Sequence, residues 1–574
     1  MISRRKSLQF LSAGAVLGPN LVKAATHPAV TVYEARQIIT MEPSLPSARF
    51  VAVADGIILG LGDSLTALEP WTAGRTVTID RHFADKVLMP GLIDPHVHPM
   101  QAAVMLNLPF IAPDDWELPT GSFPGARTPQ AWRSRFAELL SQSNERQFIC
   151  WGYHELFHGP LDRKELDRLA PDRPVVVWQR SFHEIFVNTA ALKAWGLDQG
   201  DAFAAALTAA KADPAHGDLD RGIFSETALV VGLAKLRPVI FAPERIRHGI
   251  GLMQQMMAAK GVTTVSDMAT GVFAGFDAEA AMIRAAFERP GSASRAMLMP
   301  IAGQVPADAD PGQWLEAMRS KYASAHVRVD RRIKLFADGA FFAQNMQMGP
   351  PGYTDGHVGK WLTEPADLNA QFRRFWNAGF SFHIHVNGDE GLDVVLDGLA
   401  ALPPRRDQSI TLEHLGYSTE AQNRRIARMG LMVSAQPNYI RVLGDVYSAH
   451  GLGADRAALM NRLGSLEAKG VPLGLHSDFN MAPIDPFYLA WIAANRLTLN
   501  GNLKAPDERL TLAKALRAIT IEAAQVIGMD HLAGSVAPGK MADFAVLDQD
   551  PFKAGAAGLR KITVEHVIFE GRVS

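Results

Sequence analysis

The sequence predicts an α/β fold with a parallel sheet, on three observations. Short apolar segments typical of buried strands alternate with helical segments from about residue 88 to residue 529. That span of about 440 residues is within the range of a (β/α)8 TIM barrel with insertions. Both chain ends are instead rich in strand patterns, so we expect them to meet in one small sheet domain.

The predicted strands of the middle region are short apolar runs, several of which end in a polar residue. They cover 175–178, 263–266, 333–336, 382–386, 409–414 and 472–476, with helical patterns between them such as 245–260 and 420–429. This alternation favours helical crossovers between parallel strands. We interpret the Ala/Asp/Gly-rich segment 198–218 as a solvated surface insertion.

The chain ends carry the other strand patterns. At the amino-terminal end these are 29–33, 49–54 and 57–60, with Asp55-Gly56 as a hairpin turn. At the carboxyl-terminal end they are 543–547 and 563–568. The predicted domains are therefore 26–87 with 530–574 as one composite unit, and 88–529 as the barrel.

Composition excludes several classes of protein. The chain has 574 residues, a formal net charge of -2 and 48% hydrophobic residues, which is typical of a globular protein without the basic surplus of a nucleic-acid binder. The one cysteine, Cys150, allows neither an intrachain disulfide nor a cysteine-based zinc site, and we expect it to be buried. No segment is apolar enough to predict a membrane span.

The first 25 residues are typical of an export signal. Arg4 and Arg5 precede a mildly apolar stretch, and small residues occur after it at Ala24 and Ala25. This order predicts a twin-arginine signal peptide over residues 1–25 and a periplasmic or exported protein.

One pair of histidines stands at the end of a predicted strand. His96 and His98 are two residues apart, so on an extended strand their side chains point the same way and lie about one metal-ligand spacing apart. Imidazole is a common ligand of zinc and related ions. A single His-x-His pair is a weak indication by itself, because such pairs often occur without a metal.

Further residues with the chemistry of ligands occur on the later strands. Lys334 lies within one strand, where a buried ammonium would need a partner or chemical neutralisation. His385 and His414 lie at the ends of the next two strands, and Asp478 comes after the last. Each residue has a structural explanation when taken singly, such as helix capping for the aspartate. Together they lie at the strand ends where barrel enzymes place their active sites.

These motifs resemble the amidohydrolase superfamily, and within it family 3, which includes the N-substituted formamide deformylases. The resemblance rests on 90–98 (PGLIDPHVH), 334–339 (KLFADG), 385–389 (HVNGD) and 534–543 (GSVAPGKMAD), together with His414 and Asp478. It extends from about residue 30 to residue 573, and the combination of motifs is much more specific than any one of them.

The resemblance implies a (β/α)8 barrel beside a small β-sandwich made from both chain ends. It also implies one or two divalent metal ions, usually zinc. His96 and His98 would bind the more buried ion, His385 and His414 would bind the second, and a carboxylated Lys334 would bridge the two. Asp478 would bind the buried ion and act as general base toward metal-activated water. Because single-metal members exist, the resemblance allows one ion or two.

The sequence departs from the family pattern near two of these ligands. His385 begins His-Val-Asn-Gly-Asp, where the family more often has His-Ala-Ile-Gly-Asp, and Asp478 is preceded by His476-Ser477 rather than Gly-Ser. We interpret His476 as a strand cap. His383 points to the same side of its strand as His385, but we choose His385 as the ligand because it begins the Gly-Asp motif.

His183 is the remaining candidate for the site, because a histidine near this position faces the active site in the family. We predict that it contacts substrate or a developing oxyanion. Several large side chains near strand ends could form an apolar pocket for a small, partly apolar substrate. They are Trp151, Phe182, Phe341, Phe342, Tyr439, Phe479 and Met481.

The predicted function is hydrolysis of a C–N bond in an amide, formamide or carbamate-like small molecule. A deaminase, esterase or decarboxylase on the same metal site is the alternative, because fold alone does not separate these reactions. A non-catalytic binding or regulatory protein that kept the barrel is a further alternative. Dimers are common in the family, so a homodimer is allowed, but nothing in the sequence indicates an interface.

Overall fold

The computed structural model describes residues 28–574. In chain order the strands are β1 (Val30–Ile39), β2 (Ser47–Ala54), β3 (Ile57–Gly62), β4 (Val77–Asp80), β5 (Val87–Pro90), β6 (Leu92–Val97), β7 (Trp116–Leu118), β8 (Gly121–Phe123), β9 (Phe148–Tyr153), β10 (Val175–Gln179), β11 (Glu184–Val187), β12 (Gly217–Asp218), β13 (Ile223–Ser225), β14 (Val262–Thr270), β15 (Arg295–Pro300), β16 (Val327–Arg328), β17 (Arg332–Phe336), β18 (Ser381–Val386), β19 (Ile410–His414), β20 (Met432–Ala435), β21 (Leu473–Leu475), β22 (Phe544–Leu547), β23 (Val564–Phe569) and β24 (Arg572–Val573).

The α-helices are α1 (Glu69–Thr72), α2 (Pro99–Met105), α3 (Pro129–Gln142), α4 (Glu155–His158), α5 (Arg163–Leu169), α6 (Thr189–Trp195), α7 (Gly200–Ala209), α8 (Leu229–Ile240), α9 (Pro243–Ala259), α10 (Phe276–Phe287), α11 (Pro311–Tyr322), α12 (Pro365–Asn377), α13 (Asp389–Ala400), α14 (Glu420–Arg428), α15 (Asn438–His450), α16 (Ala454–Ala458), α17 (Leu463–Ala468), α18 (Pro486–Asn495), α19 (Leu512–Arg517), α20 (Ile521–Val526) and α21 (Pro551–Gly558).

Eight strands have the parallel order of the predicted barrel. Strands β6, β14 and β15 pair in parallel, and so do β17, β18, β19, β20 and β21. Two isolated parallel bridges, Ile301–Lys334 and Val97–Phe479, link these two groups at their edges. The polar residues at the carboxyl ends of these strands therefore face one common mouth.

A separate five-stranded sheet, with the order β12-β13-β11-β10-β9, corrects part of the sequence prediction. The run 175–178 was expected in the barrel series, but as β10 it pairs with β9 and β11 instead. A short buried apolar run has no feature that assigns it to one sheet or another. This sheet lies between β6 and β14 in the chain and carries His183 in the turn before β11.

The segment 198–218 lies mostly at the surface, as its composition suggested, and only three of its residues are buried. It contains helix α7, which buries Phe203 and Leu207. These two residues are four apart and so lie on one helix face. That spacing, rather than the Ala/Asp/Gly content, determines how the segment packs.

Both chain ends contribute to one eight-stranded sheet, in which β22 pairs with β5 and with β23. Adjacent residues Val32 and Tyr33 of β1 join different apolar clusters, because successive side chains of a strand point to opposite faces. Residues from both ends thus share one sheet domain. The two-layer sandwich and the domain boundaries implied by the resemblance stay predictions.

Three other predictions concern features outside the barrel strands. The predicted signal peptide, residues 1–25, lies outside the described residues. Across residues 28–574, no helix has both the length and the apolar character needed to cross a membrane. Cys150 is buried as expected, and burial raises the pKa of its thiol.

Candidate active site

The predicted site residues meet at the carboxyl ends of the barrel strands, around one cavity of about 340 Å³. Its lining includes every residue that the sequence predicted for the site: His96, His98, His183, Lys334, His385, His414 and Asp478. Barrel enzymes place their reacting groups at this end of the strands. The proximity of these side chains is a finding, and their individual roles stay predictions.

Three donor atoms converge at the base of the cavity. The Nε2 atoms of His96 and His98 lie 3.3 Å apart, and Oδ1 of Asp478 lies 3.4 Å and 3.0 Å from them. A metal ligand must be a neutral imidazole, and burial together with the charge of Lys334 holds the pKa of His96 well below its ordinary value. Two ring nitrogens and one carboxylate oxygen fit a divalent ion such as zinc.

A second group of potential ligands contains His96, His414 and His476. Nε2 of His476 lies 3.2 Å from Nδ1 of His414, so His476 is part of the histidine cluster and not only a strand cap. Its other ring nitrogen is 2.8 Å from the hydroxyl of Ser434. The sequence suggested this residue without choosing it, because a histidine before the Ser-Asp pair has no counterpart in the family pattern.

His385 belongs to neither group of converging donors within residues 28–574. Its ring centroid is 4.6 Å from that of His414, and its Nε2 lies 3.1 Å from the side-chain nitrogen of Asn387. The predicted second ligand pair is therefore adjacent, but it is less convergent than the first group. Burial lowers the pKa of both histidines well below the ordinary value, so both imidazoles are neutral.

Lys334 is buried on β17, and its amine has no hydrogen-bond partner among the described residues. Burial lowers the pKa of Lys334 to about 8, and the charges of Glu413 and Asp478 oppose that decrease. An unpartnered buried ammonium is costly, so burial shifts the protonation equilibrium of Lys334 toward the uncharged amine. The position of Lys334 within a strand had predicted that its amine would need a partner or chemical neutralisation.

A chain of buried polar groups underlies the donor cluster. Arg332 donates to Nε2 of His383 at 3.1 Å, so this neutral imidazole carries its proton on Nδ1 and donates it to Glu413 at 2.6 Å. The other carboxylate oxygen of Glu413 lies 2.7 Å from Nδ1 of His96. Both nitrogens of His383 are thus engaged, which supports the choice of His385 rather than His383 as the ligand.

Glu413 orients His96 through this contact. Because Glu413 accepts the Nδ1 proton, Nε2 of His96 carries its lone pair toward His98 and Asp478. A carboxylate that fixes the tautomer of a ligating histidine is a recurrent arrangement in metal sites. Burial raises the pKa of Glu413, whereas the charge of Lys334 and the two imidazole N–H groups that donate to Glu413 favour its ionised form.

A second buried contact fixes Asp478 relative to the two histidines. The hydroxyl of Ser477 donates to Asp94 at 2.5 Å, and the backbone N–H of Asp478 donates to the carbonyl of His96 at 3.1 Å. Asp478 has a φ of 51°, a left-handed conformation uncommon outside glycine. Contacts from β6 therefore hold this turn in a conformation that directs the carboxylate at the histidines.

His183 approaches the cavity from the inserted sheet. Its Nδ1 lies 2.9 Å from Glu226, whose other oxygen accepts from Asn345 at 3.0 Å. Burial opposes the charged imidazole, but the hydrogen bond and charge of Glu226 outweigh it and raise the pKa of His183. His183 thus faces the cavity beside an acidic partner, Glu226, which no local sequence pattern had indicated.

The rest of the cavity is mostly apolar. Of the seven large side chains proposed for the pocket, five line the cavity: Phe182, Phe341, Phe342, Tyr439 and Met481. Trp151 and Phe479 are core residues, fully buried outside its lining. The structure adds Phe336 and residues of α8 and the loop after β14, namely Leu229, Leu233, Val272 and Phe273.

The sequence of the chain is similar to those of several known proteins. A sequence model of the amidohydrolase family matches residues 84–574. The protein YtcJ of Bacillus subtilis is 25% identical over 557 residues, which cover 93% of this chain and 97% of YtcJ. The N-substituted formamide deformylase of Arthrobacter pascens is 25% identical over 514 residues, covering 85% of this chain and 88% of that enzyme.

A solved structure supports the fold. An uncharacterized metal-dependent hydrolase from Pyrococcus horikoshii superposes with a TM-score of 0.68 over 92% of this chain and 99% of its own, at 20% identity. The family match covers most of the chain and includes every predicted site residue. The chain therefore belongs to the amidohydrolase family, as its motifs predicted.

Proposed function

We propose that the protein is a metal-dependent hydrolase that cleaves the C–N bond of an amide, formamide or carbamate-like small molecule. The observation that carries this proposal is the convergence of His96, His98 and Asp478 at the base of the cavity. The family match and the similarity to a formamide deformylase support the reaction class.

The donor chemistry of the cavity supports the following choice of metal ligands. His96, His98 and Asp478 would hold one ion, and His385 and His414 would hold a second, with His476 as a further donor beside His414. A divalent ion such as zinc, when bound there, would activate water and polarise the scissile carbonyl. One ion or two is compatible with this donor set.

Residues of the chain would transfer the proton, orient a metal ligand and bind the substrate oxygen. Asp478 would take a proton from the attacking water and pass it to the leaving nitrogen. Glu413 keeps Nε2 of His96 unprotonated. His183, held by Glu226, would hydrogen-bond the substrate oxygen on which negative charge develops.

Lys334 would become a carbamate in the working enzyme. Its amine would attack carbon dioxide, forming an N–C bond and releasing one proton, and the product would be an anionic oxygen donor instead of a buried ammonium. The unpartnered, buried amine of Lys334 and its lowered pKa support this reaction, because only the neutral amine is nucleophilic. The carbamate would bridge two ions.

The substrate would be small and partly apolar. The cavity of about 340 Å³ has its polar groups at the base and at His183, and aromatic and aliphatic side chains around the rest. Such a division suits a polar scissile group attached to an apolar substituent. Glu390, the glutamate nearest in sequence to His385 on α13, is exposed and does not line the cavity, which favours hydrolysis of an amide over deamination.

The test is release of amine from a panel of N-formyl and N-acyl amines, with the matching esters alongside. The metal-replete enzyme should release amine, and Asp478→Asn should lose most of that activity while retaining its fold. Asp507→Asn, at an exposed position, is the matched control. Cleavage of esters without release of amine from any amide would contradict the proposal.

We also propose export by the twin-arginine route, on the strength of Arg4 and Arg5. Replacing both with lysine should retain the protein in the cytoplasm, as measured by cell fractionation. An unchanged distribution would exclude this route.

A further inference from the structure

A second cavity of about 510 Å³ lies apart from the reaction cavity, and the two have no lining residue in common. The ion pair of Arg180 with Asp114 stands between them. Arg180 donates to the carbonyl of Met481 at 2.8 Å and lies 4.9 Å from the ring centroid of Phe342, both on the reaction side. Asp114 lines the second cavity.

Three cationic side chains line this cavity, Lys260 and two arginines, and the two arginines lie beside an aromatic pair. Tyr488 and Trp491 of α18 stack with an interplanar angle of 9°. The guanidinium carbons of Arg441 and Arg560 each lie 5.4 Å from the Trp491 ring centroid. Neither arginine forms an ion pair with a carboxylate between residues 28 and 574, so two like charges share one aromatic surface.

Arg441 is also incompletely hydrogen-bonded. It donates through Nη1 to the backbone carbonyls of Leu497 and Thr498, but its buried Nε has no partner in the described part of the chain. A buried donor left unpaired is costly. An acceptor brought into the cavity would reduce that cost and the repulsion between the two arginines.

The carboxylates around the cavity are mostly engaged elsewhere. Asp114 pairs with Arg180, Asp485 lies 2.7 Å from Lys260, and Asp115 lies 3.4 Å from Arg127. Glu117 is exposed and accepts from the Ser122 hydroxyl at 2.5 Å. Arg441 and Arg560 are therefore the lining cations without a carboxylate partner within residues 28–574, and Glu117 is a lining carboxylate that has no cationic partner there.

Apart from Gln255, the remaining lining is apolar and would hold the body of a ligand. It comprises Leu118, Pro119, Met256, Ile484, Leu499 and the ring of Tyr488. A flat hydrophobic group fits beside an aromatic ring, and a carboxylate matches the planar fork of an arginine. We propose that this cavity is a second binding site, for a small aromatic carboxylate whose acid group lies between Arg441 and Arg560.

The test uses benzoate as the probe and benzamide as its neutral match, by isothermal titration with the full chain. Benzoate should show a saturable binding phase that benzamide lacks. Arg560→Ala should weaken that phase at least about tenfold, the loss expected for a charge-assisted hydrogen bond. Arg560 is exposed, so this substitution leaves the core intact, and Arg405→Ala at another exposed position should change nothing.

A third variant separates the two cavities. His183→Ala alters the reaction cavity alone, so the benzoate phase assigned to the second site should persist in it. The proposal is overturned if benzoate does not bind, if benzamide binds equally well, or if the binding is lost in His183→Ala but unchanged in Arg560→Ala. A benzoate-soaked crystal with density between the two arginines would confirm the location.

Discussion

Glu413 on β19 lies 2.7 Å from Nδ1 of His96 on β6, so these residues, 317 positions apart in sequence, are directly hydrogen-bonded beneath the donor cluster. Both side chains are buried, and the second oxygen of Glu413 is taken by His383. The contact determines which nitrogen of His96 is available to a metal.

Glu413→Gln is expected to weaken metal binding. A glutamine that donates to Nδ1 would shift the proton of His96 to Nε2 and block the ligand atom, so the affinity for zinc should fall about 10- to 100-fold. Competition with a chromogenic chelator measures this affinity without relying on activity. Glu508→Gln, which replaces a buried glutamate bonded to Arg462 and Ser465, is the matched control. Wild-type affinity in Glu413→Gln would refute the orienting role.

The sequence indicated the ligands better than it indicated their supports. His96 and His98 were predictable because side chains two apart on a strand share a face, and His385 and His414 because each lies near the carboxyl end of its strand. Lys334 was predictable because a charged amine in the middle of a buried strand needs a partner or neutralisation. The contact of Glu413 with His96 depends on how β6 and β19 face each other across the barrel. No local spacing encodes that relationship, and the same is true of the pair His183 and Glu226.

Some features of the fold were also predictable from the sequence, and others were not. Alternating strands and helices predicted the parallel barrel order, and the turn at Asp55-Gly56 was predictable because both residues adopt the positive φ that such a hairpin requires. The assignment of 175–178 to the barrel was wrong, because apolar runs of similar length occur in the inserted sheet and in the barrel. Pairing partners are set by tertiary contacts rather than by local composition.

Glu226→Gln should lower the pKa of His183. The charge and hydrogen bond of Glu226 raise that pKa in the folded protein, so the charged pair stabilises the fold below the unfolded pKa of histidine. This stabilisation is lost as pH rises through the higher, folded pKa. If His183 binds substrate as imidazolium, the alkaline limb of the kcat/KM profile should move to lower pH in the variant.

Profiles of kcat/KM against pH for the wild type and Glu226→Gln provide the measurement. Glu390→Gln, at an exposed position on α13, controls for the loss of a negative charge near the barrel mouth. An alkaline limb at the same pH in both proteins would show that the ionisation of His183 does not control the reaction.

The junction between the barrel and the terminal sheet depends on a buried ion pair. Arg295 at the start of β15 contacts Asp543 through both guanidinium nitrogens and Glu570 at 3.3 Å. Asp543→Asn would leave a buried guanidinium without its main counter-charge, so the free energy of unfolding should fall by about 3 kcal/mol. Denaturant unfolding followed by circular dichroism measures the change, with exposed Asp507→Asn as control. A change below about 0.5 kcal/mol, the usual range for surface positions, would show that the junction is held by other contacts.

Metal content per chain tests the role of Lys334 directly. Protein purified without chelator should carry two zinc-like ions by plasma mass spectrometry if the carbamate bridges them, and Lys334→Ala should lose at least one ion and most of the activity. Acetate or formate should restore part of that activity, because a small carboxylate can take the place of the missing oxygen donor. Exposed Lys553→Ala should behave as the wild type. One ion in the wild type would be compatible with the proposed hydrolase but would exclude a bridging carbamate at Lys334. If the wild type carries no ion and gains no activity from zinc, manganese or cobalt, the result would favour a binding protein that retained the barrel.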